Sequence, residues 1–321
     1  MKSVQVGFVL FMMGVLAAGC GQSSGWTEPL ATPAAEPTCS SPQTGWILRV
    51  GSVSKYPKKE ISTFQPLKNY LEEALRPYGA AGCDMVVCRS VEEMAQRMQK
   101  GEVDLYIDSA WPVARVCTLC GATPILRRWK GGEAEYRGVI FVRTKSGLTE
   151  VKQLSGRVIA LDDPTSTSGY LLPLGALAEA GLRLQPVKEA SDPVPEDKVG
   201  YVFAGDEENV FFWVLRDKAA AGAINEKKFL EFTASYPEQF MVIRYTPFVP
   251  RHVVCQRRDM DPAAAAAVRQ ALLEMDQTNS GRQALANFQK TAKFDEFPDG
   301  GDAALQPIRR AIQLLDSFKI P

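Results

Sequence analysis

The stretch Leu161-Asp-Asp-Pro-Thr-Ser-Thr-Ser-Gly-Tyr-Leu-Leu-Pro173 decides how the chain is read. It follows a short apolar run, Arg157 to Leu161, that reads as a strand, and it leads into Tyr170, Leu171, Leu174, Leu177 and Ala178 at near-helical spacing. The reading is strand, loop, helix. Pro164 stiffens the turn, and Ser166, Thr167 and Ser168 stand where a helix leaves its first four amide hydrogens without partners. Those amides, the hydroxyls and the positive end of the helix dipole suit a compact anion. A capped helix start with no ligand is the alternative, because Ser and Thr are good N-caps in any helix.

Composition frames this motif. A chain of 321 residues, 45% hydrophobic and 23% charged, can bury a sizeable core and is long enough for two domains. Lys+Arg 37 balances Asp+Glu 37, so the overall charge does not draw the protein to nucleic acid or to an acidic membrane surface. The single histidine, His252, excludes most histidine-based catalytic triads and zinc sites, and its apolar neighbourhood marks it as structural. Neither a catalytic residue nor a metal or cofactor is expected.

The N-terminus reads as a targeting segment. Met1-Lys-Ser is a small positive start, Val4 to Ala18 is an apolar run, and Leu16-Ala-Ala-Gly-Cys20 places small residues directly before a cysteine, as in a bacterial lipobox. On that reading residues 1–19 are a signal peptide and Cys20 carries the lipid anchor, with an ordinary secretory signal as the alternative. Residues 20–45, rich in Gly, Ser, Thr, Ala and Pro, form a flexible tether. Six further cysteines remain: Cys39, Cys83, Cys88, Cys117, Cys120 and Cys255. Outside the cytoplasm these are expected to form disulfides, with Cys83–Cys88 and Cys117–Cys120 close enough to pair locally. The Cys117-Thr-Leu-Cys120 segment could instead be a redox dithiol or half of a metal site.

From Trp46 onward strands and helices alternate. Ile47 to Val53, Asp84 to Cys88 and Val103 to Ile107 read as strands, separated by helices at Phe64 to Leu75 and Val91 to Gln99. This is βαβ wiring, which implies a mostly parallel sheet covered by helices. Asp108-Ser-Ala-Trp111 follows at a carboxyl strand end, where such sheets place ligands, so Asp108 and Trp111 are candidate contacts. Tyr136 to Arg143 is a strong strand that opens a second alternation: a short helix at Thr149 to Leu154, the strand before the Ser/Thr loop, and a helix from Leu171 to Ala180. Strands at Lys198 to Phe203, Ala219 to Ile224, Phe240 to Tyr245 and Val253 to Gln256 follow, with a helix at Val210 to Asp217 and an Ala-rich helix after Asp261-Pro262. The expected fold class is α/β, with two lobes and a cleft between them.

The run from Tyr136 to Gly181 resembles the phosphate, phosphite and phosphonate-binding protein family of ABC importers. The likeness is carried by Ser146-Gly147, Leu154-Ser-Gly-Arg157 and the Asp-Pro-x-Ser-Thr-Ser-Gly-Tyr loop, and by Phe64 to Leu71, Gly101 to Leu105 and Asp259 to Met275. The resemblance implies a two-lobed periplasmic-binding fold of type II. Lobe 1 would comprise residues 46–143 with 246–321 and lobe 2 residues 144–245, with the hinge near Arg143 and Tyr245. It implies a small-molecule ligand held in the cleft by closure of the lobes, delivered to ABC permease subunits. Ser166, Thr167 and Ser168 would hold ligand oxygens, and Asp108, Trp111, Tyr56 and Glu207 would complete the site.

One departure from the family is visible. Where the family carries a Gly-Ser-His motif this chain has Gly205-Asp206-Glu207, and a further acidic family position falls on Ala220. Glu207 and Glu208 would repel a dianion in a desolvated cleft unless one were protonated or bridged by a cation. A zwitterion or amine-bearing solute recognised partly by Glu207 and Asp108 is therefore an expected alternative to phosphate or phosphonate. A solvated helix N-terminus is the other reading of these acids. As a second function class, the chain could be a lipoprotein sensor that reports ligand binding to a membrane partner. Replacing Cys20 by Ser is expected to move the protein from the membrane fraction to the soluble one; persistence in the membrane fraction would refute the lipobox.

Overall fold

Two sheets of six strands each, one drawn from both ends of the chain and one from its middle, organise the computed structural model, which describes residues 45–318. The first part of the chain supplies β1 (Trp46–Val53), α1 (Pro57–Ala74), β2 (Ala80–Cys88), α2 (Val91–Gln99), β3 (Leu105–Asp108), α3 (Ala110–Cys120) and β4 (Thr123–Arg128). The chain crosses through β5 (Glu135–Tyr136) into β6 (Gly138–Arg143), β7 (Val158–Leu161), α4 (Leu172–Glu179), β8 (Arg183–Pro186), β9 (Lys198–Phe203), α5 (Glu207–Leu215), β10 (Ala221–Asn225), α6 (Glu226–Thr233) and β11 (Phe240–Tyr245). It returns through β12 (Val249–Pro250) to β13 (His252–Gln256) and β14 (Phe294–Asp295), among helices α7 (Pro262–Leu273), α8 (Asn279–Asn287), α9 (Gly301–Ala304) and α10 (Gln306–Ser317).

The strand orders are β14-β4-β13-β3-β1-β2 and β11-β6-β10-β7-β9-β8. β1 pairs in parallel with β2 and β3, and β7 through β10 pair in parallel with one another, as the helical crossovers require. β6 lies antiparallel between β10 and β11, so it belongs to the second sheet. The chain changes sheets at β5 and β12, which pair antiparallel with each other. The crossing therefore falls earlier than Arg143 and later than Tyr245, because the hydrogen bonds of both flanking strands are spent inside the second sheet.

Burial explains why these segments adopt these forms. Val139 to Val142 of β6 are all fully buried, the pattern of a strand covered on both faces. In α1 the helical spacing of Phe64, Leu67 and Leu71 brings all three into the first core, each contributing about 1.5–3 kcal/mol. Ser90, Asp206 and Asp261 cap α2, α5 and α7 by accepting from backbone amides. The segment expected as a helix from Thr149 is a single tight turn, Val151–Leu154. No helix among the described residues is long and apolar enough to cross a membrane.

The expected local disulfides are corrected. Cys83 and Cys88 sit five residues apart on β2, about 16 Å at the rise of an extended strand, well beyond disulfide reach. Cys117 and Cys120 share α3, and Cys83, Cys88, Cys117, Cys120 and Cys255 are all free thiols. Cys20 and Cys39 lie outside the described residues, as do the segment expected as a signal peptide and nearly all of the one expected as a tether.

α10 crosses to the second sheet's helix α4, where Gly175 lets the two backbones approach. A Cβ at Gly175 would stand 2.8 Å from the Cβ of Ala311. Arg310 of α10 bonds Glu179 of α4 at 2.6 Å.

The loop after β7 is seated by two further glycines. A Cβ at Gly138 would stand 2.2 Å from the Ser168 carbonyl oxygen, and one at Gly169 would stand 2.6 Å from the Asp162 Cβ. Neither position admits a side chain without moving the turn. Gly138→Ala is expected to lower stability by about 1–3 kcal/mol through this overlap, read as a drop of several degrees in Tm. Gly82→Ala, where the nearest atom would be 3.6 Å away, is the control and is expected to change Tm little.

Candidate ligand-binding cleft

The helix that begins in the Ser/Thr loop opens with one wide π-helical turn, Thr167–Leu171, before α4. Ser166 caps it by accepting from the Gly169 amide at 3.0 Å, and the Leu171 amide donates to the Ser166 carbonyl at 3.1 Å. Thr167 and Ser168 are 1% and 4% exposed, so their polar groups require partners inside the protein or in a guest. The Tyr136 hydroxyl hydrogen-bonds both of their side chains. Thr167 Oγ1 also accepts from the Trp111 amide at 2.9 Å, and the Trp111 indole N–H donates to the Pro164 carbonyl at 3.1 Å. The start of α3 thus grips the loop from the opposite lobe.

Beside this grip lies a cavity of about 220 Å³ between the two sheets, lined by Asp108, Lys130, Tyr136, Asp162, Ser166, Thr167, Ser168, Glu207, Asn225, Arg251 and His252, among others. Of the residues expected from sequence, Ser166, Thr167, Ser168, Asp108 and Glu207 are brought together here. Two are not. The Trp111 nitrogens are committed to the loop rather than to a guest, and Tyr56, 71% exposed just before α1, lies outside the lining. Glu208 is exposed on the first turn of α5, whereas Glu207 turns inward and accepts from the Asn225 amide at 2.9 Å.

Sequence reasoning missed the cations. Lys130 follows β4, and Arg251 precedes β13 with its guanidinium stacked on the Tyr136 ring at 4.4 Å. Arg128 lies behind them, fully buried, bonded to Thr291, Gln289 and the Phe288 carbonyl, each at 3.0 Å. Burial, reinforced by Arg251 and Arg128, pulls the Lys130 ammonium down to about 8, which leaves it charged at pH 7. His252 also lines the cavity; burial and the three neighbouring cations hold its pKa well below the usual value, so it is a neutral polar group.

The acids respond to the same burial. Asp108 is pushed up by burial although its oxygens accept from the Ser109 amide at 2.6 Å and the Tyr106 hydroxyl at 2.8 Å. Burial raises Glu207 as well. Asp162 is raised to about 6, by burial first and by the Glu207 carboxylate second. Burial pushes Asp163 up too, but hydrogen bonds from Thr165 and the Lys55 ammonium at 3.1 Å outweigh it and hold that carboxyl below the usual range. The cleft therefore presents cations and carboxylates together, with one acid that titrates close to neutral pH. A larger hollow of about 510 Å³ between α4 and α10 lacks this chemistry, because its Glu179 is already paired with Arg310 and Arg244.

The family described as ABC transporter, phosphonate, periplasmic substrate-binding protein matches residues 50–299. The chain belongs to that family of substrate-binding proteins, which places it outside the cytoplasm. XAC2383 from Xanthomonas citri, solved bound to ATP, superposes with a TM-score of 0.77 at 25% identity over 84% of this chain and 98% of that one. The same protein has been solved bound to chloride ion. PhnD1 from Prochlorococcus marinus, in complex with methylphosphonate, shares the fold with a TM-score of 0.60 at 16% identity, over 86% of this chain and 99% of that one. Over 207 residues, 57% of the chain, the sequence is 27% identical to the tetrathionate sensor histidine kinase TtrS of Salmonella typhimurium; the chain spans 31% of that kinase.

Asp162 gives a pH prediction. In the folded protein it holds its proton up to about 6 instead of 3.8, so between those values the folded chain binds more protons than the unfolded one. Its cost is fully present at pH 7 and disappears as pH falls through 6 toward 4. Asp162→Asn is expected to raise stability at pH 7 by on the order of 1 kcal/mol, with the difference from wild type vanishing near pH 4 in thermal melts across that range.

Proposed function

We propose that this chain is the lipid-anchored, extracytoplasmic solute-binding component of an importer, and that its ligand is a small zwitterionic oxyanion held between the lobes. The observation that carries this reading is the mixed charge of the cleft: Lys130 and Arg251 stand with the Ser166–Ser168 turn, and Asp108, Asp162 and Glu207 share the same 220 Å³. A bare dianion would be attracted by the cations and the turn but repelled by buried carboxylates. A guest that carries an amino group beside its oxyanion satisfies both. Ser166 and Ser168 would bind the oxyanion, Lys130 and Arg251 would neutralise it, and Glu207 with Asp162 would take the ammonium.

Cavity size supports a compact guest. The volume is below the range of about 300–1,000 Å³ typical of drug-sized ligands, which suits a phosphonate of a few carbons. A nucleotide such as that bound by XAC2383 would need the lobes to stand further apart. Closure itself would be the message to the permease. The likeness to the TtrS sensor kinase favours a second reading, in which a membrane-bound kinase receives the closed form instead.

Titration calorimetry with an aminoalkylphosphonate, methylphosphonate and inorganic phosphate tests the ligand. The aminoalkylphosphonate is expected to bind at least tenfold tighter than methylphosphonate. Lys130→Ala and Arg251→Ala should each weaken it by about 10–100-fold, the 1.5–3 kcal/mol of a charge-assisted hydrogen bond. Equal affinities for all three anions would overturn the zwitterion, and no heat from any of them would overturn the binding site. Affinity capture from membranes, yielding permease subunits or a histidine kinase, separates the two readings.

A further inference from the structure

A second hollow, of about 410 Å³, opens beside α3 and is lined by Cys117, Thr118, Thr123, Asp302 and Arg309, among others. Cys117 is half-buried at this opening. Cys255, fully buried on β13, hydrogen-bonds the Cys117 side chain, and Cys120 one helical turn further along α3 is near enough to influence it. The Cys120 thiol is committed to the Val116 carbonyl at 3.1 Å. Among the described residues no group of His, Cys, Asp and Glu is arranged to hold a metal ion. The arrangement is one accessible thiol over one buried thiol.

We propose that Cys117 and Cys255 are a thiol–disulfide exchange pair, with Cys117 the entry thiol for a small disulfide in this hollow and Cys255 the resolving thiol. The Cys117 thiolate attacks one sulfur of the incoming R–S–S–R; that S–S bond breaks, one R–S⁻ leaves with the electron pair, and Cys117–S–S–R remains. Cys255 then gives up its proton and attacks the Cys117 sulfur, expelling the second R–S⁻ and closing Cys117–Cys255. The two protein thiols lose two electrons and two protons, and the external disulfide becomes two thiols.

The other described cysteines are poor entry points. Burial pushes Cys83 up to about 12 and Cys88 to about 11, and raises Cys120 and Cys255 as well. A location outside the cytoplasm allows such a bond to persist. Both elements that it would join also reach the ligand cleft. α3 starts with Trp111 against the loop, and β13 starts at His252 and pairs Cys255 with Tyr106, whose hydroxyl bonds Asp108.

The test uses the full chain, reduced and then exposed to oxidised glutathione, alkylated, digested and mapped by mass spectrometry. It needs no solute, so it stands apart from the ligand assignment. Wild type is expected to lose both alkylated peptides, Cys117 and Cys255, and to yield their cross-linked product without retained glutathione. Cys255→Ser should retain one glutathione on Cys117, and Cys120→Ser should behave as wild type. A Cys117–Cys120 or Cys117–Cys39 link in wild type, or Cys117 still fully alkylated after the glutathione step, would overturn the pair. The wild-type map decides the matter even if the Cys255 variant fails to fold.

Discussion

The contact between Gly138 and the Ser168 carbonyl is the constraint on which the cleft depends. β6 is one of the buried inner strands of the second sheet, and its first residue is pressed against the backbone of the Ser/Thr turn. With Gly169 pressed in turn against Asp162, the loop has little freedom to rotate. Its amides and hydroxyls are therefore held in place, so that the binding proposed for this turn would have less ordering entropy to offset.

Charge burial follows from that placement. The turn brings Asp162 inside, α5 brings Glu207, and the two crossing segments bring Lys130 and Arg251. Each ion taken from water costs several kcal/mol unless an opposite charge or hydrogen bond compensates it. The structure responds in three ways: Arg128 is saturated with carbonyl, amide and hydroxyl acceptors, Arg251 stacks on Tyr136, and Asp162 keeps its proton to an unusually high pH. The proposed guest, with both signs of charge, would complete what the protein compensates only in part.

Much of the architecture was legible because strands buried on both faces read as apolar runs. Val139 to Val142 and Val158 to Leu161 could be little else, and the family likeness of the loop pointed to the cleft. β4 does not read as a strand because it carries Arg127 and Arg128, whose charges find acceptors far along the chain in Asp295 and Thr291. α3 was hidden behind Trp111-Pro112. Lys130 and Arg251 carry no motif; the antiparallel pairing of β13 with β4, which sets His252 opposite Arg128, brings their neighbourhoods together. The apolar neighbours of His252, Val253 and Val254, are simply the strand, and the histidine is the end of that strand that meets the cavity.

The seam between α10 and α4 bears on how the two halves are held together. Gly175 against Ala311 and Arg310 against Glu179 bind the two halves near Arg244 to Pro247, at the spine, while the mouth is held by the two Trp111 hydrogen bonds and the exposed Lys55–Asp163 pair. Of the mouth contacts, the Lys55–Asp163 pair, with its ammonium largely exposed, contributes little and weakens with ionic strength. Any parting of the proposed cleft at this mouth would therefore depend on salt through that pair, whereas the apolar packing of Gly175 on Ala311 would not.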